Sequence, residues 1–310
     1  MIYKKILRSR AFRLKVLEFL SFVPDKQMIQ IQYRIKTGRR LNLRNPVRYT
    51  EKLQWYKLYY RDPLMVACTD KFEVRKYVEQ CGLGDILTKC YGVFDEPNEI
   101  DFNSLPMQFV LKDTLGGGGN SVIIVRDKSS LDVDYTLKML EEWVRKDPSK
   151  PSGGREWVYY SGQKHRIIVE ELIDSDPRQG GLVDFKFLCF SGKIALLYVM
   201  SDRILGQGAS CGFFTEEFER LPYTESDEWP LEREISKPSN FDQMKRVAEI
   251  LSAPFPCARV DLYNVEGKIR FGEITFFDSS GYMTFEPDDL DFVLGEKFFI
   301  ETNRNPKPRP

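Results

Sequence analysis

An α+β fold is predicted from three features of this 310-residue chain. The first 65 or so residues are basic and place apolar residues at helical three- and four-residue spacing (Ile6, Leu14, Leu17; Phe12, Val16, Phe19). Beyond them, short β-rich runs such as MQFVLK, SVIIV and RIIVEELI share the chain with helical stretches. The two kinds mix without the strict alternation of a parallel α/β protein, and no internal repeat is visible. Hydrophobic residues at 42% and charged residues at 30% suit a globular protein with a sizeable core.

Element by element, Pro46 breaks the N-terminal pattern and Thr50 is the expected cap of a helix running through EKLQWYKLYY. TDKFEVRKYVEQCG reads as a helix capped by Thr69 or Asp70 and stopped by Gly82. MQFVLK and SVIIV are strands on either side of four glycines, and residues 132–147 form a helix ended by PSKPSGG. RIIVEELI is a strand. DFKFLCFSGKIALLYVMSD is a pair of strands turning at Ser191-Gly192. Residues 204–240 show little periodicity and are expected to be loop. FDQMKRVAEILS is a helix, and RVDLYNVEGKIRFGEITFF a hairpin turning near Glu266-Gly267. The tail, 301–310, is expected to be flexible.

Charge and rare residues narrow the chemistry. Net charge is zero, so the chain as a whole is not expected to bind nucleic acid, although residues 1–48 carry 13 Lys+Arg against Glu18 and Asp25. That basic stretch suits contact with anionic lipid, an acidic glycan or a partner enzyme, or is simply a solvated face. The opening apolar residues are interrupted by charge every few positions, and no run approaches a membrane span. Six cysteines without a CxxC pair point to free thiols in a reducing cytoplasm, with peripheral attachment to the inner membrane face an option. There is a single histidine, His165, expected to be structural. Any mechanism needing two histidines is excluded, which leaves lysines, arginines, carboxylates and a bound cofactor to do the chemistry.

FVLKDTLGGGGN, residues 109–120, sets Lys112 at a strand end before Gly116, Gly117, Gly118 and Gly119. A P-loop needs Lys-Ser/Thr after the glycines and a helix; here Asn120 and Ser121 lead into a strand. The dinucleotide fingerprint fails at Ser121, and the HRD and DFG motifs of a protein kinase are absent. What remains is a Gly-rich hairpin, either an exposed turn or a lid whose N–H groups wrap an anion within reach of Lys112.

In the last hairpin, a turn at Glu266-Gly267 sets Asp261 opposite Gly272 or, with one bulged residue, opposite Glu273. Two facing carboxylates need a cation between them, and Mg²⁺, which takes one or two carboxylates plus phosphates, fits better than the alternative of a charged surface face. Arg259 shares the face of Asp261 and offers a fork of donors to phosphate. The acids ending IIVEELI suit a nucleotide hinge, while Lys186 and Arg203 are further cations able to face phosphates.

Asp70-Lys71, Lys112, the glycine loop, VEELI, DFKF and RVDLY…GEITFF together resemble the ATP-grasp superfamily, and NPVRYTEKLQWYKLYYRDPLMVACTDKFEVRKYV resembles the opening signature of its teichuronopeptide-biosynthesis type. The likeness spans roughly residues 40 to 300. It implies an ATP-grasp fold in which two α+β subdomains, 66–170 with the lid and 171–300 with the metal site, clamp ATP and Mg²⁺ after a helical N-terminal region, 1–65. It also implies phosphate contacts from Lys71, Lys112 and Lys186, a lid of Gly116 to Gly119 with Asn120 and Ser121, and an adenine hinge of Glu170, Glu171, Leu172 and Ile173. Asp184 is implied as a ribose-binding acid, Asp261 and Glu273 as metal ligands, and Arg259 as the stabiliser of an acyl phosphate, with Arg203 nearby. Thr275 stands where many of these ligases carry asparagine, which leaves the number of Mg²⁺ ions open. The expected activity is amide formation between an amine, such as an amino acid, and a hexuronate carboxylate of a bacterial surface glycan or its precursor. A kinase acting on a sugar hydroxyl and a non-catalytic nucleotide-binding scaffold are the alternatives.

Overall fold

The computed structural model describes residues 16–17, 19–117, 121–173, 181–204 and 207–300. Helix α1, Asp25–Thr37, stops at Gly38, whose φ of 75° is the left-handed ending that glycine adopts without strain. Helix α2, Tyr49–Tyr59, starts one residue before the expected Thr50 cap. Glu51 accepts from the N–H groups of Val47 and Arg48, while Thr50 spends its own N–H and hydroxyl on Asp291, so the cap falls to Arg48. Helix α3 spans Pro63–Thr69 and α4 spans Glu73–Gln80. Of the two expected caps, Asp70 accepts from the N–H groups of Phe72 and Glu73, and Gly82 ends the helix at φ 74°.

Strands β1 (Cys90–Phe94), β2 (Phe109–Asp113), β3 (Val122–Val125) and β4 (Ile167–Glu170) form an antiparallel sheet in the order β1-β4-β2-β3. β1, absent from the sequence reading, is an edge strand whose residues are all half-buried, so it lacks the in–out alternation that signals a strand. Helix α5, Val133–Val144, follows β3 and is shorter than the expected 132–147, since Asp132 is its cap and Arg145 its end. Its Leu140 and Trp143 join Phe109, Leu111, Ile167 and Val169 in a small separate core.

The larger sheet takes in β5 (Asp184–Phe190), β6 (Lys193–Ile204), β7 (Gly208–Phe214) and β9 (Trp229–Pro230), with β8 (Thr224–Glu225) outside it. After helix α6 (Phe241–Ser252) come β10 (Ala258–Val265) and β11 (Lys268–Thr275), then β12 (Phe285–Glu286) and helix α7 (Asp289–Lys297). The order is β11-β10-β5-β6-β7-β9, and β8 pairs with β12. Both predicted hairpins turn where expected, with positive φ at Ser191-Gly192 and at Glu266-Gly267, the pairing that follows the twist of the flanking strands. The loop expected over 204–240 is wrong at β7. That strand is largely buried and reads GASCGFF, without the alternation of a half-exposed strand.

One face of this sheet packs on α6, where Phe187 meets Phe241 with ring centroids 5.9 Å apart. Helix α2 is seated in the same core, its Tyr49 and Tyr56 lying against Phe298 at 6.2 and 5.8 Å. The other face of the sheet looks across a cleft towards β2, β4 and the glycine loop.

Candidate functional site

The hairpin β10–β11 builds the centre of the site. Its register pairs Arg259 with Thr275 and Asp261 with Glu273, then slips so that Leu262 faces Phe271. Gly272 is the extra residue, the bulged alternative foreseen from the turn. A Cβ there would lie 2.9 Å from the Asp261 carbonyl oxygen, so only glycine fits the bulge. On the other side of β10, Asp261 pairs with Lys186, which in turn faces Tyr198 on β6. Directly paired residues share a face of a sheet. Thr275, Glu273, Arg259, Asp261, Lys186, Asp184 and Tyr198 therefore form one polar surface over an apolar core.

Arg259 organises this surface. Its Nε and Nη2 donate to the two oxygens of Asp261 at 2.7 Å each, Nη1 donates to Asp278, and Nη2 also reaches Glu273 and Thr275 at 3.3 and 3.2 Å. Burial opposes the charge on Arg259, but Asp261 and Asp278 raise its pKa well above the ordinary value. Burial would likewise push Asp261 up; Arg259 and Lys186 outweigh it and pull the carboxyl down to about 2. Lys186 bonds Asp261 and Asp184, the latter at 2.7 Å, and these carboxylates raise its pKa against burial. Asp184 itself is raised by burial, despite Lys186 and Arg203. Its Oδ2 accepts from Arg203 at 3.2 Å, and its buried Oδ1 has no partner.

Across the cleft, Lys112 donates to Glu170 at 2.8 Å. Glu170 also accepts from Thr88 at 2.9 Å and Arg75 at 3.2 Å, and burial is outweighed so that its pKa falls. Its carboxylate is thus a strut between β4, β2 and α4, and of the expected hinge only the groups after it, in 171–173, are left open to a ligand by this bracing. Lys71 donates to the Gly116 carbonyl, and its surroundings lower its pKa, chiefly by burial. Beneath the loop, Asp113 accepts from Leu115 N–H at 3.1 Å and from Lys146 at 2.7 Å, and lies 2.8 Å from His165 Nδ1. The single histidine therefore braces the loop from below.

A cleft of about 1170 Å³ joins these parts. Lys71, Lys112, Gly116, Gly117, Glu170, Glu171, Leu172, Ile173, Asp184, Lys186, Arg203, Arg259, Asp261 and Glu273 all line it. Ser121, expected in the lid, instead turns under Gly116 and towards Lys146, with its Cβ 2.6 Å from where a Gly116 side chain would begin. Gly118, Gly119 and Asn120 lie outside the described residues, as do the basic residues 1–15 and the tail 301–310. Among the described residues no group of three or more His, Cys, Asp or Glu side chains forms a ready-made metal cage. Asp261 and Glu273 nonetheless fit Mg²⁺, which keeps waters and shares phosphate oxygens rather than demanding an all-protein cage. Glu273 has its described bonds on Oε1 alone, and its side chain is 42% exposed to the cleft.

A family model described as TupA-like ATP-grasp matches residues 51–299. The chain belongs to this family. Its fold is the ATP-grasp fold, with the glycine-loop sheet and the six-stranded sheet facing each other across the cleft. A comparison with curated proteins found no match. Among solved structures, N5-carboxyaminoimidazole synthetase from Staphylococcus aureus complexed with ADP is similar at 11% identity and a TM-score of 0.40, over 67% of this chain and 44% of that one. D-alanine–D-alanine ligase from Bacillus anthracis complexed with ATP is similar at 16% and 0.42, over 74% and 67%. An L-amino acid ligase from Bacillus licheniformis is similar at 18% and 0.43, over 70% and 45%. The chain thus spans less than half of the first and third of these proteins.

This ATP-grasp chain carries site residues that its sequence did not reveal. Asp278, Glu225, Glu228 and Tyr198 line the end of the cleft beyond Arg259. Lys57 and Gln54 of α2 donate to the carbonyls of Ser280 and Gly281, and so hold the turn that carries Asp278. Only the DSSG step after GEITFF offered a signal, an acid beside a turn. Among the described residues no helix is long and apolar enough to cross a membrane, and all six cysteines are free thiols.

Proposed function

We propose that this TupA-like ATP-grasp protein is an ATP-dependent carboxylate–amine ligase, joining an amine to a hexuronate carboxylate of a surface glycan or its precursor. The observation that carries the reading is Arg259 bridging Asp261, Glu273 and Asp278 at the centre of a cleft that Lys71, Lys112 and Lys186 also line. Such an array serves phosphoryl transfer, which runs on positioning and charge neutralisation and needs no histidine. The glycan rests on the family resemblance alone.

In this reading Lys112 and Lys71 hold phosphate oxygens beneath the glycine loop, and the backbone of 171–173 pairs with the adenine edge. Asp184 offers its unpartnered Oδ1 to a ribose hydroxyl. Asp261 and Glu273 would hold Mg²⁺, which when bound neutralises charge on the phosphates. A carboxylate oxygen of the acceptor attacks the γ-phosphorus, and the bond to the leaving ADP breaks. Arg259 stabilises the acyl phosphate. The amine nitrogen then attacks the acyl carbon, the carbon–oxygen bond to phosphate breaks, and the amine proton leaves with phosphate or to solvent.

Phosphorus NMR of Mg-ATP with a hexuronate pool and an amino-acid pool tests this. ADP and inorganic phosphate appearing only with both pools present is the expected result. A new phosphate ester would make the protein a kinase, and failure to bind Mg-ATP would end the reading.

A further inference from the structure

Beside Arg259 the same cleft is lined by polar groups that the proposed nucleotide and metal contacts do not use. Asp278 is 5% exposed; its Oδ1 holds Arg259, while its buried Oδ2 has no partner. Tyr198 is 3% exposed, and its hydroxyl is also buried without a partner. Both residues line the cleft. A buried polar group left unpaired is costly to the fold, so two at one place mark a ligand position.

The charge at this end identifies the ligand. Glu225 lines it with a single long contact, 3.4 Å, to the Ser279 hydroxyl. Glu228 adds a carboxylate that accepts from the Ala209 N–H at 3.0 Å. Arg259, the cation beside them, is already shared among Asp261, Glu273 and Asp278. Burial, with Asp278 and Glu228, pushes the Glu225 carboxyl up to about 8, as befits an acidic pocket short of a cation. A carboxylate ligand is repelled here. An ammonium group brings positive charge and three N–H donors, matching Asp278 Oδ2, the Tyr198 oxygen and Glu225, whose carboxyl keeps its proton near neutral pH until such a cation favours its ionised form.

We propose that Asp278, Glu225 and Tyr198 form the subsite for the ammonium group of the amine co-substrate, across Arg259 from the Asp261–Glu273 pair. The role as co-substrate site rests on the ligase reading; the binding of an ammonium group does not. The placement sets the two reactants on opposite sides of one guanidinium, the acyl group towards the phosphates and, once the ammonium has given one proton to solvent, the free amine nitrogen towards Asp278.

Saturation-transfer NMR on the full chain, without nucleotide, tests the subsite with n-propylammonium and its neutral counterpart 1-propanol. Transfer to n-propylammonium and not to 1-propanol is expected. The signal should weaken at least fivefold in Glu225→Gln and in Asp278→Asn, and hold in Glu142→Gln, an exposed position on α5. Because Asp278 also anchors Arg259, Glu225→Gln is the variant that spares the fold, with thermal melting as its check. No transfer, equal transfer in Glu225→Gln, or displacement by a neutral sugar overturns the proposal. Mg-ATP titration of the same samples judges the ligase reading separately: loss of nucleotide binding sinks that reading and leaves the ammonium result standing.

Discussion

Arg259 and Asp261 lie two residues apart on one strand face, and two guanidinium nitrogens close on the two carboxylate oxygens at 2.7 Å each. The remaining nitrogen holds Asp278. One side chain thus fixes the predicted metal ligand on one side and the acidic pocket on the other. Only a planar fork with donors on three nitrogens does this, and lysine does not.

Arg259→Lys is therefore expected to lower kcat by about 10²- to 10³-fold, the usual cost of removing a donor from a developing charge. The Kd for Mg-ATP should change far less, because Lys71 and Lys112 remain. Steady-state kinetics beside nucleotide titration will check the split. An Arg259→Lys enzyme with normal kcat would remove Arg259 from the chemistry.

The glycine loop yields a contrast between neighbours. A Cβ on Gly116 would meet Ser121 at 2.6 Å and Asp113 at 3.0 Å, whereas one on Gly117 meets nothing within 4 Å. Gly116→Ala should displace the loop from Lys71, whose ammonium bonds the Gly116 carbonyl, and weaken Mg-ATP binding about tenfold or more. Gly117→Ala should stay within about twofold. Equal effects in the two variants would mean that packing under the loop does not shape the nucleotide site.

Asp113 sets an acid limit on the small sheet. Burial would raise its pKa, but His165 and Lys146 outweigh burial and lower it. A carboxyl depressed in the folded state stabilises above its unfolded value of about 3.9 and loses that contribution as pH falls through the folded value. Asp113→Asn should cost about 2–3 kcal/mol at pH 7, for charge-assisted bonds to partners that are partly exposed. Its urea midpoint should then fall less steeply than wild type between pH 5 and pH 3. Parallel slopes would show that Asp113 does not carry the acid transition.

Lys57 is a buried lysine, 1% exposed, and burial brings its pKa down to about 7. Its ammonium donates to the carbonyls of Gly154 and Ser280 at 2.7 and 2.8 Å, tying α2 to the turn in which Ser279 and Ser280 have φ of 44° and 54°. Lys57→Met leaves the Gly154 carbonyl unpaired and the Ser280 carbonyl with Gln54 alone, and should cost about 1–3 kcal/mol. Hydrogen exchange in 278–282 should quicken before any change in 109–117. Unchanged protection of that turn would reduce Lys57 to a packing role.

The legible and illegible parts of the site differ in how far apart in sequence their members stand. The Asp261–Glu273 pair follows from one turn at Glu266-Gly267 and one bulge, all within 259–275, so counting outward from the turn reached it. Lys112 and the glycines are contiguous and announce themselves. Tyr198, Glu225 and Asp278 come from three separated segments, and each alone is an ordinary strand tyrosine or surface acid. Tyr198 stands on β6, Glu225 on β8 outside that sheet and Asp278 in the turn after β11, so only the tertiary fold brings them together, and β7 itself was hidden in a stretch with no alternation. Thr50 misled for a related reason: its capping chemistry was real but was spent on Asp291, which is remote in sequence.

Glu225 closes the argument about the acidic pocket through stability alone, with no substrate in hand. Its pKa of about 8 arises from burial, then Asp278, Glu228 and Asp227, against a single opposing bond from Ser279. In the unfolded chain a glutamate titrates near 4.3. Below about 4.3 the group is protonated in both states and adds no pH dependence. Between there and about 8 the unfolded chain releases the proton while the folded protein keeps it, so stability falls as pH rises. Glu225→Gln removes that slope. The difference in urea midpoint, variant minus wild type, should therefore climb steadily from pH 5 to pH 8, in the window where Asp113 contributes nothing further. A difference that stays flat would mean Glu225 ionises normally, and burial beside Asp278 and Glu228 would then not crowd it as the proposed acidic pocket requires.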